Sequence, residues 1–306
     1  MEGTLKRTFL VTLAVSAATV VALAGEPPPM EAALLARLRA RIADVARNLD
    51  GILGVVAKDI TTGRTIGLNP DQSFPTASSI KLAVLYELYR QAEEGRIDLA
   101  EEVQPSVPRV TGGGVLQWLG DRVRLTWRDL AVLMMGWSDN EATNLLIRRL
   151  GLEAVNRRLD SLGLRATRLR RLMMDLEAAR RGDENLSTPA EMAELVAGIA
   201  RGEGLPPEQA KDLLAVATVP DAGSYFRSGL PEGLRAISKP GSLEGVRCEV
   251  AWVDLPGHPY TAAVMTSHLR HDADGEAAIR AISTALFETF DRLARASEHG
   301  RIVSER

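Results

Sequence analysis

A serine and a lysine three residues apart, Ser78 and Lys81, are the first side chains whose spacing suggests chemistry. A helix is predicted to begin near Ser78, so both side chains would lie on one face of its first turn. Unpaired N–H groups there favour a developing negative charge, and a nearby amine that can lose its proton could accept the seryl proton. The pair fits nucleophilic catalysis or, alternatively, a helix cap beside a solvated lysine. The apolar run at residues 82–85 argues against the second interpretation.

Two later segments carry polar groups that suit the same chemistry. Ser138-Asp139-Asn140 offers a hydroxyl that can relay a proton and an amide that can bind a carbonyl, although such residues also form ordinary turns. Lys239-Pro240-Gly241-Ser242 follows a predicted strand. Its lysine could bind a carboxylate and its glycine would let a ligand approach the backbone, but alone it is equally compatible with a turn.

Composition narrows the class of protein. The chain has 306 residues, of which 45% are hydrophobic and 25% are charged, which fits a globular protein of one or two domains and excludes a disordered one. A formal net charge of −3 gives no general attraction to nucleic acid. The single Cys248 cannot form an internal disulfide, and the His268/His271 segment lacks a further ligand, so we expect no metal and no cofactor.

The N-terminus predicts the compartment. Lys6 and Arg7 precede an uncharged run at residues 8–24 that ends in Ala22-Leu23-Ala24, the pattern of a signal peptide cleaved near Ala24. The alternative is an uncleaved anchor helix. No later segment is long and apolar enough to cross a bilayer. We therefore expect a periplasmic or secreted monomer without a stable membrane span after cleavage.

The predicted elements run in the order helix, two strands, a long helical middle, three strands and helix. Strands from both ends can share one antiparallel sheet only if the helical block is an insertion. The fold class is therefore α+β, an antiparallel sheet flanked by terminal helices plus an inserted all-helical lobe, with a cleft between the two. The mature domain would span 25–306, with the sheet lobe at about 30–75 and 220–306 and the helical lobe at about 76–219.

In this order, the three motifs resemble the Ser-x-x-Lys, Ser-Asp-Asn and Lys-Thr-Gly signature of the penicillin-recognising serine hydrolases. FPTASSIKLAVL at residues 74–85 and LTWRDLAVLMMGWSDNEATNLLI at residues 125–147 are similar to the class A β-lactamase branch. So are GGGVLQWL at residues 112–119 and the helix start at Thr188-Pro189. The resemblance covers most of the mature chain and implies a β-lactamase/transpeptidase-like fold.

The resemblance implies a role for each motif residue. Ser78 would be the acylated nucleophile, Lys81 its proton acceptor and Ser138 the proton relay to the leaving nitrogen. Asn140 would bind the side-chain amide of the substrate, and Lys239 would bind its carboxylate. Gly241 is the motif glycine, and the N–H of Ser242 would form an oxyanion hole with that of Ser78.

The chain departs from the family pattern in two places. Pro240 replaces the usual Thr or Ser of the third motif. The Glu-x-x-Leu-Asn segment, whose Glu activates the deacylating water in class A enzymes, is absent from residues 170–179, where counting back from Thr188 puts Leu172 at the expected Glu. Of the nearby carboxylates, Asp175 is the first candidate base, since its apolar flank could raise its pKa. A loop-capping role for Asp175 is equally compatible with the sequence.

Three functions are compatible with the sequence. The leading hypothesis is a serine hydrolase that opens β-lactam rings through a Ser78 ester, slowly if no base replaces the missing Glu. A peptidase of the D-alanyl-D-alanine type, or an esterase, would use the same groups on a peptidoglycan-like or other small substrate. A penicillin-binding or sensing module would be acylated and hardly turn over.

Overall fold

The structure, a computed structural model, describes residues 29–105, 109–297 and 299–302. The predicted signal peptide at residues 1–24 lies outside these residues. Within the described ranges, no helix combines the length and the hydropathy that crossing a membrane requires.

The described chain alternates between strands and helices. The strands are β1 (Ile52–Asp59), β2 (Thr65–Leu68), β3 (Phe74–Pro75), β4 (Glu102–Val103), β5 (Leu125–Thr126), β6 (Leu186–Ser187), β7 (Ala236–Leu243), β8 (Val246–Val253) and β9 (Tyr260–Ser267). The helices are α1 (Pro29–Asn48), α2 (Lys81–Glu93), α3 (Trp127–Gly136), α4 (Asn140–Leu150), α5 (Leu152–Ser161), α6 (Leu176–Arg180), α7 (Pro189–Arg201), α8 (Pro207–Ala217) and α9 (Asp272–Arg295). Short 3₁₀ turns lie at Ala77–Ile80, Leu116–Trp118 and Arg227–Gly229.

Five strands form one antiparallel sheet in the order β2-β1-β9-β8-β7. The early strand β1 pairs with the late strand β9, with Val55 opposite Val264. The ends of the chain therefore build the sheet, and α2 to α8 are inserted between β3 and β7. The expected α+β class, with an antiparallel sheet and an inserted helical block, is confirmed.

Helices cover both faces of this sheet, so its central strands are almost entirely buried. Leu38 of α1 and Leu286 of α9 pack with Val55 and Val264 on one face. On the other face, Ile237 joins the apolar cluster of the helical block. Strands buried on both sides read as nearly continuous apolar and β-branched runs, as β8 and β9 do.

Two elements near the predicted motifs differ from expectation. The helix expected from Ser78 begins as a 3₁₀ turn and becomes α2 only at Lys81. The strand expected to end at Ser238 continues as β7 to Leu243, so the Lys239–Ser242 motif lies inside a strand. Pro240 is tolerated there because β7 is the edge strand of the sheet.

Candidate active site

Ser78 lies in the 3₁₀ turn between β3 and α2. The preceding residue, Ala77, has φ +47°, a left-handed conformation that costs a residue with a β-carbon about 1 kcal/mol or more. Thr76 holds this backbone in place, because its N–H donates to Asn185 O at 2.9 Å. The Ser78 hydroxyl makes no hydrogen bond to another described residue and faces a cleft. Ser78 is half-buried, and the described bonds of the Lys81 amine go to Ser138 and Asn140 rather than to Ser78.

Gly241 allows β7 to lie against that turn. A β-carbon at Gly241 would be 2.5 Å from Thr76 O and 2.7 Å from the buried Sγ of Cys248. The Cys248 thiol itself donates to Thr76 O at 2.8 Å, and its burial raises its pKa to about 12. We expected the glycine to admit a ligand; its visible effect is the close approach of two protein segments.

Lys81 is fully buried, and its amine is surrounded by oxygen atoms. Nζ donates to Ser138 O at 2.7 Å, Ser138 Oγ at 3.0 Å and Asn140 Oδ1 at 3.0 Å. Burial first, and then the charge of Lys239, hold the pKa of Lys81 well below its ordinary value, against the opposing carboxylates of Asp139 and Asp221. A neutral amine suits this site, because it can donate to the two carbonyl oxygens and accept from the Ser138 hydroxyl.

Asp139 ties the second motif to the glycine-rich loop. One carboxylate oxygen caps α4 through Ala142 N at 2.9 Å, and the other accepts from Val115 N at 2.7 Å and Leu116 N at 2.8 Å. Gly114, at φ +89°, permits this contact, since a β-carbon there would be 2.2 Å from Asp139 Oδ2. Sequence reasoning gave Asp139 no role. The sequence feature that could have indicated it is an Asp at a helix start, together with a glycine run followed by N–H groups that need an acceptor.

Lys239 is the second buried amine and is ion-paired. Its Nζ lies 2.5 Å from Asp221 Oδ2. Burial lowers the pKa of Lys239, while Asp221 and then Glu249 oppose that change. Asp221 was missed because it lies in the loop after α8, where no sequence spacing links it to the motif.

A buried carboxylate supports the strand that carries Lys239. Glu249 of β8 lies opposite Pro240 and accepts from Ser238 Oγ at 2.5 Å, from Phe226 N at 2.9 Å and from Ser224 Oγ. Burial raises the pKa of Glu249. This group was also missed, because a glutamate within a strand predicts exposure.

The segment before α6 is fixed by side chains from elsewhere. Arg171 Nη2 pairs with Glu184 Oε1 at 2.7 Å, and Asn185 Oδ1 accepts from Arg171 N at 3.0 Å. Asn144 of α4 brackets Met173, accepting from its N–H at 2.7 Å and donating to its carbonyl at 3.0 Å. The backbone of Met173 is therefore locked across α4.

Asp175 begins α6 as its N-cap, since its Oδ1 accepts from Ala178 N at 2.9 Å. It is not among the described residues that line the cleft. This placement fits the capping interpretation of Asp175. Met173 and Met174 line the cleft, whereas Leu172, which counting puts at the expected Glu, does not.

One cleft brings several of the predicted residues together. Among the described residues, its walls contain no carboxylate; they are Ala77, Ser78, Gly112, Asn140, Arg171, Met173, Met174, Leu176, Asn185, Ser242 and Leu243. Lys81 joins it through its bond to Asn140, Ser138 is bonded to Lys81, and Lys239 lies near enough to lower the pKa of Lys81. The described ranges hold no group of three or more His, Cys, Asp or Glu side chains suited to a metal ion.

Comparisons with known proteins agree on one family. Residues 37–290 match the sequence profile of the Beta-lactamase enzyme family. A β-lactamase from Streptomyces lavendulae is 31% identical over 246 residues, which cover 76% of this chain and 80% of that protein. The crystal structure of β-lactamase from Sphaerobacter thermophilus is 31% identical, with a TM-score of 0.75 over 83% of this chain and 97% of that one. The structure of PBP-A is 27% identical, with a TM-score of 0.76 over 83% and 96% of the two chains.

Proposed function

The chain belongs to the Beta-lactamase enzyme family, and from this premise we propose that it is a serine hydrolase that opens β-lactam rings through an ester on Ser78. One observation carries the proposal. The buried Lys81 amine bonds both Ser138 Oγ and Asn140 Oδ1 beside a cleft that Ser78 and Ser242 line. This arrangement supports the proposal, because the candidate proton acceptor and relay lie beside the cleft that the Ser78 hydroxyl lines.

Acylation then follows from these groups. The Ser78 oxygen attacks the lactam carbonyl while its proton passes to Lys81, whose lowered pKa favours the neutral amine. Ser138, 3.0 Å from that amine, delivers a proton to the ring nitrogen as the C–N bond breaks and the ester remains. The N–H groups of Ser78 and Ser242 stabilise the oxyanion, by about 3 kcal/mol for each donor.

Asn140 and Lys239 orient the substrate in this proposal. One N–H of Asn140 Nδ2 donates to Gly112 O at 3.2 Å, which leaves its second N–H for the side-chain amide of the substrate. Lys239 attracts the carboxylate of the substrate, although Asp221 already offsets part of its charge. The hydroxyl that Pro240 lacks would be supplied by Ser242 on the same strand.

Deacylation is the slow step of the proposed reaction. Hydrolysis of the ester needs a base that activates water, and the described residues lining the cleft include no carboxylate. The same observation favours a second candidate function, a penicillin-binding protein that stays acylated. The two candidates share acylation and differ only in the lifetime of the ester.

A burst experiment separates them. The purified protein is mixed with a chromogenic β-lactam while intact mass and hydrolysis are followed together. Steady turnover after a stoichiometric burst supports a slow β-lactamase, and a lasting adduct without turnover supports the penicillin-binding protein. Absence of both overturns each candidate; cleavage of a small ester or of a peptide ending in D-alanyl-D-alanine would then identify the hydrolase.

We also propose that the protein acts outside the cytoplasm. The proposal is based on the Lys6-Arg7 pair, the uncharged run at residues 8–24 and Ala22-Leu23-Ala24. A signal peptide predicts that the exported protein begins near Gly25, which N-terminal sequencing of the mature protein tests. The lobe boundaries near residues 75 and 220 likewise stay a prediction.

A further inference from the structure

The polar side chains that line the cleft are mostly engaged with the protein itself. Arg171 donates to Glu184 Oε1 through Nε at 3.0 Å and Nη2 at 2.7 Å. Asn185 accepts from two backbone N–H groups and donates to Arg171 O at 3.2 Å. Asn140 is bonded to Lys81 and to the glycine-rich loop. Among the described lining residues, the polar side-chain groups left for a ligand are the hydroxyls of Ser78 and Ser242, one amide N–H each of Asn140 and Asn185, and the remaining N–H groups of the nearly buried, ion-paired Arg171.

The rest of the wall is hydrocarbon and partly open to water. Met174 is 43% exposed and Leu176 is 54% exposed, although both line the cleft. Met173 and Leu243 extend the same surface. Exposed apolar side chains beside a reactive hydroxyl gain free energy when a ligand covers them, in proportion to the apolar area removed from water.

Contacts within the protein fix the conformation of this apolar wall. Met174 has φ +63°, and Leu176 N donates to its carbonyl at 3.0 Å. Its side chain reaches the glycine-rich loop, since a β-carbon on Gly112 would be 2.7 Å from Met174 Cε. Asp175 caps the helix that begins with Leu176. The apolar surface is therefore in position before a substrate arrives, so less conformational entropy is lost when one binds.

We propose that Met174 and Leu176 determine specificity by favouring acylating substrates whose side chain is apolar over those whose side chain is anionic. The inference rests on the proposed function, because it concerns the substrate that acylates Ser78. An apolar group would cover this wall, whereas a carboxylate would lose water beside hydrocarbon without a free cation to replace it. Among the described lining residues the one cation is Arg171, which Glu184 already neutralises.

The test compares two penicillins with the same nucleus. One carries a phenylacetyl side chain, and the other carries the same side chain with an added α-carboxylate. Second-order rate constants for adduct formation are measured by intact mass. We expect the phenylacetyl compound to acylate the wild-type protein at least about tenfold faster.

Variants test whether Met174 and Leu176 cause the preference for the phenylacetyl compound. Met174→Ser combined with Leu176→Ser should reduce the ratio of the two rate constants about fivefold or more, and Met174→Lys should speed acylation by the anionic compound. Met30→Ser is the matched control, because Met30 is also an exposed methionine that rests against a left-handed glycine, Gly300, but lies on α1. Thermal melts confirm that each variant is folded.

The outcomes separate this inference from the proposed function. Equal rate constants for the two penicillins on wild-type protein overturn the selectivity while leaving the proposed function intact. A ratio that Met30→Ser changes as much as the double variant overturns the assignment to Met174 and Leu176. Failure of both penicillins to give either an adduct or hydrolysis overturns the proposed function and this inference with it. A preference lost only in the cleft variants supports the inference.

Discussion

One side of the cleft is polar and the other is apolar. On one side, Lys81, Ser138 and Asn140 form a buried polar cluster joined by hydrogen bonds of 3.0 Å. On the other, Met173 and Met174 present hydrocarbon from a segment whose backbone is fixed just as firmly. Both sides are ordered, so the difference between them lies in chemistry and not in rigidity.

The contrast teaches that making an ester and breaking it are separable properties of one cleft. In the proposed mechanism, acylation needs a proton acceptor and a relay, for which the polar side offers Lys81 and Ser138. Deacylation needs an activated water, for which the side before α6 offers no carboxylate among the described lining residues. The two sides can therefore be altered separately.

The largest effect should come from removing the nucleophile. Ser78→Ala should lower the rate of adduct formation by about 10⁴-fold or more, because it removes the hydroxyl that forms the ester in the proposed reaction. Intact mass spectrometry measures it. Ser79→Ala is the neighbouring control: it removes the buried bond to Thr76 O, and acylation should persist. An adduct that forms at an unchanged rate on Ser78→Ala would contradict the assignment.

Adding a carboxylate to the hydrocarbon side should have the next largest effect. Met173→Glu should speed deacylation by about 10²- to 10⁴-fold, the usual contribution of a positioned base. Met173 lines the cleft and Leu172 does not, so Leu172→Glu should leave the lifetime of the adduct nearly unchanged. Adduct decay followed by mass measures both variants. Faster decay in Leu172→Glu alone would favour the position that sequence counting indicates.

The buried amine on the polar side leads us to expect that the acylation rate depends on pH. In the proposed mechanism acylation requires neutral Lys81, so its rate should rise about tenfold per pH unit and then level off well below pH 10.5, since burial lowers the pKa of Lys81. Between that lowered pKa and 10.5 the unfolded chain binds the proton that the folded chain does not, so the contribution of this group to the free energy of unfolding rises with pH. Stopped-flow acylation across pH measures the first effect. A rise that continues to pH 10.5 would contradict it.

The smallest effect should come from Asp175. Asp175→Asn keeps an N-cap acceptor, so the adduct lifetime should change less than about twofold and the free energy of unfolding by less than about 1 kcal/mol. Asp175→Ala removes the cap and should cost about 1 kcal/mol in stability. Adduct decay and urea unfolding measure these changes. A lifetime that lengthens tenfold in Asp175→Asn would restore Asp175 as the base.

Much of the fold could be predicted because it follows from local patterns in the sequence. Helix α1, strands β1, β2 and β9, and the start of α7 lie close to where apolar periodicity and capping residues indicate. At α7, Thr188 accepts from Glu191 N, as an N-cap should. The Glu191 carboxylate accepts from Ala166 N and Thr167 N, which belong to a segment distant in sequence. These two hydrogen bonds depend on tertiary contacts, so a local pattern does not predict them.

The residues that were missed at the site act through partners distant in sequence. Asp221 and Glu249 support the Lys239 strand from a loop and from a neighbouring strand, and neither has a fixed offset from the motif. Counting along the chain indicates Leu172 in the segment before α6, whereas Met173 and Met174 line the cleft. There the backbone bonds between Asn144 and Met173 decide which side chain meets the cleft.

The contact between β7 and the turn that carries Ser78 gives the molecule a built-in reporter. Cys248 is the single cysteine of the chain and lies fully buried at that contact, donating to Thr76 O. A thiol reagent can reach it only when the strand and the turn separate. The labelling rate of the native protein therefore measures how often this junction opens, and an acyl group on Ser78 that braces the junction would slow the labelling.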